Sequence, residues 1–360
     1  MRSLSDTVER LTRMRSIKPG APSGSRLQKL EGFGSNPGAL GAWYHMPDQL
    51  PETPALVVVL HGCTQTAAGY DNGSGWSALA DDYGFAVLFP EQVRANNPNL
   101  CFNWFNPGDT RRDQGEVMSI RQMIAAMVSR CGIDKRRIHI TGLSAGGAMA
   151  NAMLACYPDV FAGGAIIAGL PHAIASTVPE AFDRMRGHGL PDTDSLQASL
   201  RAASRHDGPW PAVSVWHGTS DKTVVPENAA AIVAQWRGVH ALSDHPDSSG
   251  IIDRHSRSVW RDANGADAIE LHLITDMGHG TPIDTASGYG GRAPFMLDIG
   301  ISSTEQIARS WGLTASFERL PKMAPASQGA NTGPASASDW DGNKIQSVIE
   351  SALRSAGLMK

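Results

Sequence analysis

The sequence predicts an α/β protein with a mostly parallel central sheet flanked by helices. Seven short apolar runs recur along the chain, most of them rich in Val and Ile, and several are separated by stretches long enough for a helix. Buried parallel strands have this composition, and the alternation of strand and helix indicates βαβ units. The predicted strands are 40–46, 55–60, 85–89, 137–140, 164–168, 212–216 and 269–274.

Two helices are predicted beside the central strands. One follows Arg112, and Asp113 and Glu116 are predicted to form its capping box, because acceptors three residues apart cap a first turn reciprocally. The other runs from 145 to about 155 and consists mainly of small residues.

The remaining chain departs from this rhythm. Asn264-Gly265 separates 256–261 from 268–274, and Asn-Gly is a favoured hairpin turn, so an antiparallel pair is predicted there. Residues 170–210 carry prolines, mixed charge and two weak helical patches, which predicts an insertion that forms a cap over the sheet.

The predicted organisation has four parts. An amphipathic N-terminal helix and lead-in occupy 1–24, and the α/β domain occupies 25–321. Residues 322–340 mix Ala, Ser, Gly, Asn and Pro, the composition of a flexible linker. Residues 341–360 carry apolar side chains at helical spacing, which predicts a C-terminal helix with a face to bury.

Composition excludes several classes of protein. With 41% hydrophobic residues, 18% charged residues and a net charge of -4, the 360-residue chain lacks the basic excess typical of nucleic-acid binding. It contains no apolar run long enough for a membrane span. Its four cysteines lack CxxC spacing, so no structural metal site is expected. The N-terminus lacks an apolar leader segment, which predicts a cytoplasmic protein, or a secreted one if a leader has been removed.

The strongest chemical motif is Gly142-Leu143-Ser144-Ala145-Gly146, which fits the pattern G-x-S-x-G. It follows predicted strand 137–140 and precedes a helix of small residues, which is the context that this motif requires. A sharp turn here would bring strand and helix so close that a Cβ at 142 or 146 would collide. The sequence therefore predicts Ser144 as a nucleophile at the carboxyl end of the sheet.

A serine nucleophile needs a general base and an acid that orients the base. In chain order Ser, acid, His, these groups stand on loops that leave later strands. Asp221 lies on the loop after 212–216, and His279 lies on the loop after 269–274. We therefore predict Asp221 as the acid and His279 as the base.

Other histidines and aspartates remain as alternatives. His61 and His217 each precede a glycine at a strand end, where hydrogen-bonded support of a loop is the expected role. Asp276 shares the loop of His279, which gives it a less natural approach to the imidazole. Asp284 could replace Asp221 if its loop folds back.

Attack on an ester carbonyl places negative charge on its oxygen, which two backbone N–H groups must stabilise. The residue after the nucleophile, Ala145, supplies one. The loop after strand 55–60 begins His61-Gly62-Cys63, and its position predicts that the N–H of Cys63 supplies the other.

These residues stand in motifs that resemble the esterase family of poly(3-hydroxybutyrate) depolymerases, to which feruloyl and acetylxylan esterases are related. His-Gly-Cys-Thr-Gln and Asn-Trp-Phe are more specific than G-x-S-x-G, and the resemblance extends over most of residues 55–300. Its motifs are LHGCTQTA (60–67), PEQVRANNPNLCFNWFNPGD (90–109), GLSAGGAMA (142–150), YPDVFAGG (157–164), WHGTSDKTVVPEN (216–228) and MGHGTPID (277–284).

The resemblance implies an α/β-hydrolase fold, no cofactor, and the same triad of Ser144, Asp221 and His279. It also implies that Cys63 and Cys101 form a disulfide, with two reduced thiols as the alternative in the absence of a leader segment. No partner is predicted for Cys131 or Cys156. Because no separate substrate-binding domain follows the catalytic one, intracellular polymer, soluble oligomers or small esters are the expected substrates.

The predicted reaction is ester hydrolysis through an acyl intermediate on Ser144. Phe102, Trp104 and Phe105 are candidate walls of the acyl subsite, with a core role as the alternative for some of them. The alternative functions are a feruloyl or acetylxylan esterase, a serine peptidase of the same fold, and a silent hydrolase-fold binding protein. The complete set of candidate triad and oxyanion residues argues against a silent protein.

Overall fold

The computed structural model describes residues 26–314. The helix predicted in 1–24, the linker predicted in 322–340 and the helix predicted in 341–360 lie outside the described residues. Both ends of the predicted 25–321 domain also fall just beyond this range. No described helix has the length and apolarity needed to cross a membrane.

Residues 26–314 form twelve strands and nine α-helices, with a short 3₁₀ helix at Thr285–Ser287. The strands are β1 (Gln28–Lys29), β2 (Gly41–His45), β3 (Leu56–Leu60), β4 (Ala86–Glu91), β5 (Ile138–Leu143), β6 (Gly163–Ile167), β7 (Ala212–Gly218), β8 (Ser248–Ile252), β9 (His255–Arg261), β10 (Asp267–Ile274), β11 (Thr281–Ile283) and β12 (Met296–Asp298). The helices are α1 (Ala67–Ser74), α2 (Trp76–Tyr83), α3 (Pro107–Thr110), α4 (Gly115–Cys131), α5 (Ala145–Cys156), α6 (Val178–Met185), α7 (Thr193–Ala202), α8 (Glu227–His240) and α9 (Ser303–Ser310).

The main sheet has ten strands in the order β1-β2-β4-β3-β5-β6-β7-β10-β9-β8. Its six central strands, from β4 to β10 in this order, run parallel, and antiparallel strands extend both edges. From β3 the chain first turns to β4 on one side and then crosses to β5 on the other. Open α/β sheets bind ligands at such a switch point, outside the carboxyl ends of the strands.

The alternation of side chains along the strands builds a core on each face of the sheet. In β3, Leu56, Val58 and Leu60 join one cluster of buried apolar residues, and Val57 and Val59 join the other. Helices α4, α5 and α8 cover the first face, while α1, α2 and α9 cover the second. Because both faces are covered, β3 is apolar at every position, as the sequence predicts.

The structure confirms the predicted sheet and its hairpin. All seven predicted strands form within a few residues of their expected bounds, and β9 pairs antiparallel with β10 around the Asn264-Gly265 turn. The insertion 170–210 contains α6 and α7, the two predicted helical patches. Strand β8 was not predicted, because its sequence Ser-Ser-Gly-Ile-Ile lacks the periodicity of a buried strand and all five residues are exposed.

The predicted capping box of α4 is wrong. Gln114 is the N-cap residue, and Asp113 precedes it with a positive φ of 65°, outside the helix. The carboxylate of Glu116 does not return to the helix N-terminus. It points into the protein, where it accepts hydrogen bonds from Gln92 and Asn103. Glu116 therefore binds hydrogen-bond donors from elsewhere in the chain and does not cap its own helix.

Burial predicts a large difference between two isoleucines. Ile140 lies in the middle of β5 and is 0% exposed, whereas Ile251 in β8 is 76% exposed. We expect Ile140→Ala to lower the free energy of unfolding by about 2–5 kcal/mol through lost burial and a cavity. Ile251→Ala should change it by about 0.5 kcal/mol or less. Urea unfolding of both variants tests the difference, and equal losses would contradict the burial pattern described here.

Candidate active site

Ser144 lies at the turn between β5 and α5. Its backbone, with φ 57° and ψ −117°, has a conformation that residues with a side chain rarely adopt. Hydrogen bonds hold it there: its N–H donates to the Ile167 carbonyl of β6, and its carbonyl accepts from the N–H of Ala148, each at 2.8 Å. The strained turn is thus fixed from the sheet on one side and from the helix on the other.

Two glycines allow helix α5 to begin so close to the sheet. A Cβ at Gly142 would overlap the carbonyl of Gly146, and a Cβ at Gly146 would come within 2.5 Å of the carbonyl oxygens of Leu60 and His61. Real Cβ atoms essentially never approach backbone this closely. The structure therefore shows, at both glycines, the steric constraint predicted from the sequence.

Asp221 and His279 meet at the carboxyl end of the sheet. Asp221 follows β7, and His279 lies between β10 and β11. The ring nitrogen Nδ1 of His279 donates to Oδ2 of Asp221 at 2.7 Å. The other carboxylate oxygen of Asp221 accepts from the N–H groups of Thr223 and Val224, at 2.8 and 2.9 Å. The carboxylate is thereby locked in place, and it fixes the imidazole with Nε2 left free to face a substrate.

The alternative aspartates serve elsewhere. Asp276 is an exposed residue that pairs with Arg254, and its N–H donates to the hydroxyl of Thr219. Asp284 caps the 3₁₀ helix through the N–H of Ala286. Neither carboxylate forms a hydrogen bond to His279 within the described part of the chain.

Asp221 is 3% exposed, yet its surroundings favour the ionised form. Burial by itself would raise the pKa of this carboxyl, but the charge of His279 and hydrogen bonds from His217 and His279 outweigh burial and lower the pKa far below its usual range. A carboxylate that is ionised at neutral pH can stabilise an imidazolium whenever His279 gains a proton.

His61 and His217 support the loops of the site. Nδ1 of His61 donates to the Gly62 carbonyl at 2.7 Å, and Nε2 accepts from the N–H of Gln92 at 3.1 Å. Burial lowers the pKa of His61 to about 4, so this ring is neutral. Nε2 of His217 donates to the Val224 carbonyl at 2.8 Å and lies 3.4 Å from Asp221. His61 therefore holds backbone of the loops, whereas His217 holds the Val224 backbone and also supports the Asp221 carboxylate.

A cavity of about 130 Å³ joins Ser144 to His279, because both residues line it. Cys63 and Ala145 line it as well, and within residues 26–314 the backbone N–H of neither donates a hydrogen bond. Two free donors beside a serine are what a developing oxyanion requires. No hydrogen bond links the Ser144 hydroxyl to His279 in the described residues, a contact that often tightens only when substrate binds.

A disulfide joins Cys63 to Cys101, as the resemblance implies. The N–H of Thr64 also donates to the Asn99 carbonyl at 2.7 Å. These two links fasten the loop after β3 to the loop after β4. Cys131, which is partly buried, and Cys156, which is buried, are free thiols in the structure.

Two of the three aromatic residues predicted as a substrate wall line the cavity. Trp104 and Phe105 do so, and their rings meet edge to face at 5.7 Å between centroids. The prediction for Phe102 is wrong, because this side chain is 0% exposed and belongs to the core. Its ring packs 5.0 Å from that of His61, beneath the loop.

Sequence reasoning missed several walls of the cavity. Val178, Phe182 and Met185 of α6 line it, and so do Leu170 and Phe295. The spacing of the three α6 residues is that of one helix face, and this spacing is present in the sequence of the 170–210 insertion. Phe295 also packs edge-on against the ring of His279, but no motif marks it. Across residues 26–314, no group of three or more His, Cys, Asp or Glu side chains could hold a metal ion.

Comparison with curated proteins finds esterases. Poly(3-hydroxyalkanoate) depolymerase C of Paucimonas lemoignei is 43% identical over 292 residues, which cover 80% of this chain and 70% of that protein. Feruloyl esterase B of Neurospora crassa is 31% identical over 232 residues, or 62% of this chain and 78% of that protein. Acetylxylan esterase A of Aspergillus ficuum is 28% identical over 272 residues, or 72% and 87%.

Comparison with solved structures supports the α/β-hydrolase fold. The acetyl xylan esterase from Aspergillus awamori superimposes with a TM-score of 0.69 at 23% identity, over 80% of this chain and 99% of that one. A family model described as esterase PHB depolymerase matches residues 41–252, more than half of the chain. With this match and the 43% identity to a depolymerase, the chain belongs to the PHB depolymerase family of esterases.

Proposed function

We propose that this chain is a serine hydrolase that cleaves neutral aliphatic esters, namely poly(3-hydroxybutyrate) or its oligomers, with Ser144 as nucleophile. The observation that carries the proposal is the hydrogen bond from His279 to Asp221, made beside the cavity that Ser144 and two free backbone N–H groups also line. Base, orienting acid, nucleophile and oxyanion donors thereby stand around one space.

The proposed reaction has two halves. Oγ of Ser144 attacks the ester carbonyl carbon while Nε2 of His279 takes the hydroxyl proton, and the N–H groups of Cys63 and Ala145 stabilise the oxyanion. As the tetrahedral intermediate collapses, the bond to the alcohol oxygen breaks and His279 protonates that oxygen. Water, deprotonated by His279, then attacks the acyl carbon. The bond from that carbon to Oγ of Ser144 breaks, His279 returns the proton to Oγ, and the acid leaves. Asp221 stays ionised throughout and stabilises the imidazolium.

The lining of the cavity supports a neutral aliphatic substrate. In the part of the chain that the structure describes, no Asp, Glu, Lys or Arg lines it. Its walls are mainly apolar, from Trp104 and Phe105 on one loop to Val178, Phe182 and Met185 on α6. Each internal linkage of a hydroxyalkanoate chain is an uncharged ester between short alkyl groups, which suits such walls. The 43% identity to a poly(3-hydroxyalkanoate) depolymerase supports the same substrate class.

Acetylxylan or feruloyl esters are the alternative substrates. Relatives with these activities in their names cover much of the chain, and the acetyl xylan esterase shares the fold over nearly its whole length. The aromatic pair Trp104 and Phe105 could stack against a feruloyl ring, which is the observation in favour of this alternative.

The disulfide between Cys63 and Cys101 supports an oxidising location for the protein. Reducing compartments keep such thiols apart, whereas secreted proteins retain their bridges. Of the two locations considered from the sequence, we therefore favour secretion over the cytoplasm.

Removal of the Ser144 hydroxyl tests the proposed nucleophile. We expect Ser144→Ala to lower kcat for p-nitrophenyl butyrate by about 10⁴-fold or more, because the proposed acyl intermediate forms on the Ser144 hydroxyl. Circular dichroism should show an unchanged fold, and Ser74→Ala, on α1 away from the cavity, serves as the serine control. Activity in Ser144→Ala equal to that of the wild type would disprove the role.

A comparison of substrates tests the proposed specificity. The wild type is given 3-hydroxybutyrate oligomers, amorphous polymer, methyl ferulate and acetylated xylan, with Ser144→Ala as the blank for each. We expect the highest serine-dependent kcat/KM on the oligomers or polymer, because their short alkyl groups suit the apolar walls. A higher kcat/KM on ferulate or acetylated xylan would move the chain to the polysaccharide esterases with the same site.

The lowered pKa of Asp221 predicts how stability depends on pH. The pKa of Asp221 in the folded protein lies below that of an unfolded aspartate, about 3.9. Ionised Asp221 therefore stabilises the folded state above about pH 3.9, and this stabilisation is lost as the pH falls toward the folded pKa. We expect the difference in unfolding free energy between the wild type and Asp221→Asn to shrink from about pH 4.5 to about pH 2. Urea unfolding across this range measures it, and a difference that grows on acidification would contradict the assignment.

A further inference from the structure

Glu116 is a buried acid that the proposed reaction does not use. It lies in the first turn of α4 and is 0% exposed. No Lys or Arg of the described residues forms a salt bridge with it, and Asp109 is the charged group that acts on it. Burial and the charge of Asp109 raise the pKa of Glu116 from its ordinary value, while hydrogen bonds from Asn103 and Gln92 stabilise the ionised form. Burying an acidic side chain without a neighbouring cation is energetically unfavourable, so other contacts must stabilise Glu116.

Every hydrogen-bond partner of this side chain is a donor. Oε1 of Glu116 accepts from Nε2 of Gln92 at 2.6 Å, from Nδ2 of Asn103 at 2.8 Å and from Nδ2 of Asn96 at 3.2 Å. Oε2 accepts from the backbone N–H of Asn103 at 2.9 Å. All three partners lie on the chain between β4 and α3, at or near one wall of the cavity.

That wall is the segment 97–105, which contributes Asn97, Pro98, Asn99, Cys101, Trp104 and Phe105 to the cavity lining. It has no helix or strand of its own, so other contacts must hold its shape. Glu116 is the polar anchor beneath it, since both the backbone and the side chain of Asn103 are bound to this one carboxylate.

Two further chains of contact lead from Glu116 to the cavity. Gln92 uses the same amide nitrogen to donate to the Cys101 carbonyl at 3.0 Å, and Cys101 is bonded covalently to Cys63. Oδ1 of Asn103 accepts from Nδ2 of Asn97 at 2.9 Å, and Oδ1 of Asn97 accepts from the N–H of Cys101 at 3.3 Å. Glu116 is therefore connected to the apolar wall and to the proposed oxyanion donor.

We propose that Glu116 is a positioning residue for the esterase site, which holds segment 97–105 so that Trp104 and Phe105 form the wall against the acyl chain. This inference rests on the proposed ester hydrolysis. Glu116 touches no reacting atom and acts through Asn103 and Gln92. Its loss should therefore weaken discrimination between long and short acyl groups more than it weakens hydrolysis itself.

The test uses Glu116→Gln, which keeps the shape of the side chain. Its carbonyl oxygen can still accept at the Oε1 position, but its NH₂ group then faces the backbone N–H of Asn103, and two donors oppose each other. We expect the ratio of kcat/KM for p-nitrophenyl butyrate to kcat/KM for p-nitrophenyl acetate to fall about fivefold or more. The fall should come mainly from a higher KM for butyrate, because each methylene bound in an apolar pocket raises kcat/KM by roughly tenfold or more.

Asn103→Ala provides an independent approach from the loop side. It removes the amide donor to Glu116 and leaves the helix residue unchanged. We expect a similar fall in the butyrate-to-acetate ratio, and the double variant should fall little further than either single variant, because both remove the same contact. If Glu116→Gln does not fold, Asn103→Ala alone decides the question.

Glu270→Gln is the matched control. Glu270 is also a largely buried glutamate with hydrogen-bonded partners, Arg257 and His272, but it lies on β10 and does not line the cavity. It should lower thermal stability and keep the butyrate-to-acetate ratio within about twofold of the wild type, since the pocket is untouched.

The outcomes separate this inference from the proposed function. Folded Glu116→Gln and Asn103→Ala variants with the wild-type ratio would overturn the positioning role, as would an equal fall in Glu270→Gln. A double variant whose losses multiply would also overturn it. Failure of the wild type to hydrolyse either ester, or hydrolysis that persists in Ser144→Ala, would instead refute the proposed function.

Discussion

The site depends on the close approach of helix α5 to the carboxyl ends of β3 and β5. Gly142 and Gly146 permit it, because a Cβ at either position would overlap backbone of the neighbouring segment. The approach forces Ser144 into a positive φ and leaves the N–H of Ala145 without an acceptor in the described chain. One steric constraint thereby places Ser144 at the turn and leaves unpaired one of the two N–H groups that we propose as oxyanion donors.

The rest of the site assembles at the same edge because six central strands are parallel and end there. The loops after β3 and β10 bring Cys63 and His279 to the cavity lining, and the loop after β7 brings Asp221 into hydrogen-bond contact with His279. Buried polar side chains hold the irregular loops: His61 and His217 support the loops after β3 and β7, and the network around Glu116 supports the loop after β4. The insertion between β6 and β7 completes the cavity with the apolar face of α6.

Sequence alone predicts the parts that obey local rules. The central strands could be predicted because both faces of the sheet are covered, which makes the strands apolar throughout. The nucleophile turn could be predicted because G-x-S-x-G lies between a strand and a helix. Chain order singled out Asp221 and His279, which the structure brings within hydrogen-bond distance. The inward turn of Glu116 could not be predicted, because its partners come from a loop with no periodicity.

The aromatic residues show the same limit. Phe102, Trp104 and Phe105 are close in sequence, but only tertiary packing decides that Phe102 enters the core while the other two face the cavity. Likewise, Phe295 packs against His279 from a segment further along the chain that no motif marks. Contacts between irregular segments depend on the whole fold, so local sequence patterns do not predict them.

The central claim is that Ser144 is an activated nucleophile, and covalent labelling tests it most directly. The wild type is treated with a fluorophosphonate, and mass spectrometry locates the modified residue. We predict stoichiometric labelling at Ser144, none in Ser144→Ala, and much slower labelling when His279 is replaced by Ala. No modification of the folded wild type, or modification at another serine, would contradict the account and leave a hydrolase fold without a working site.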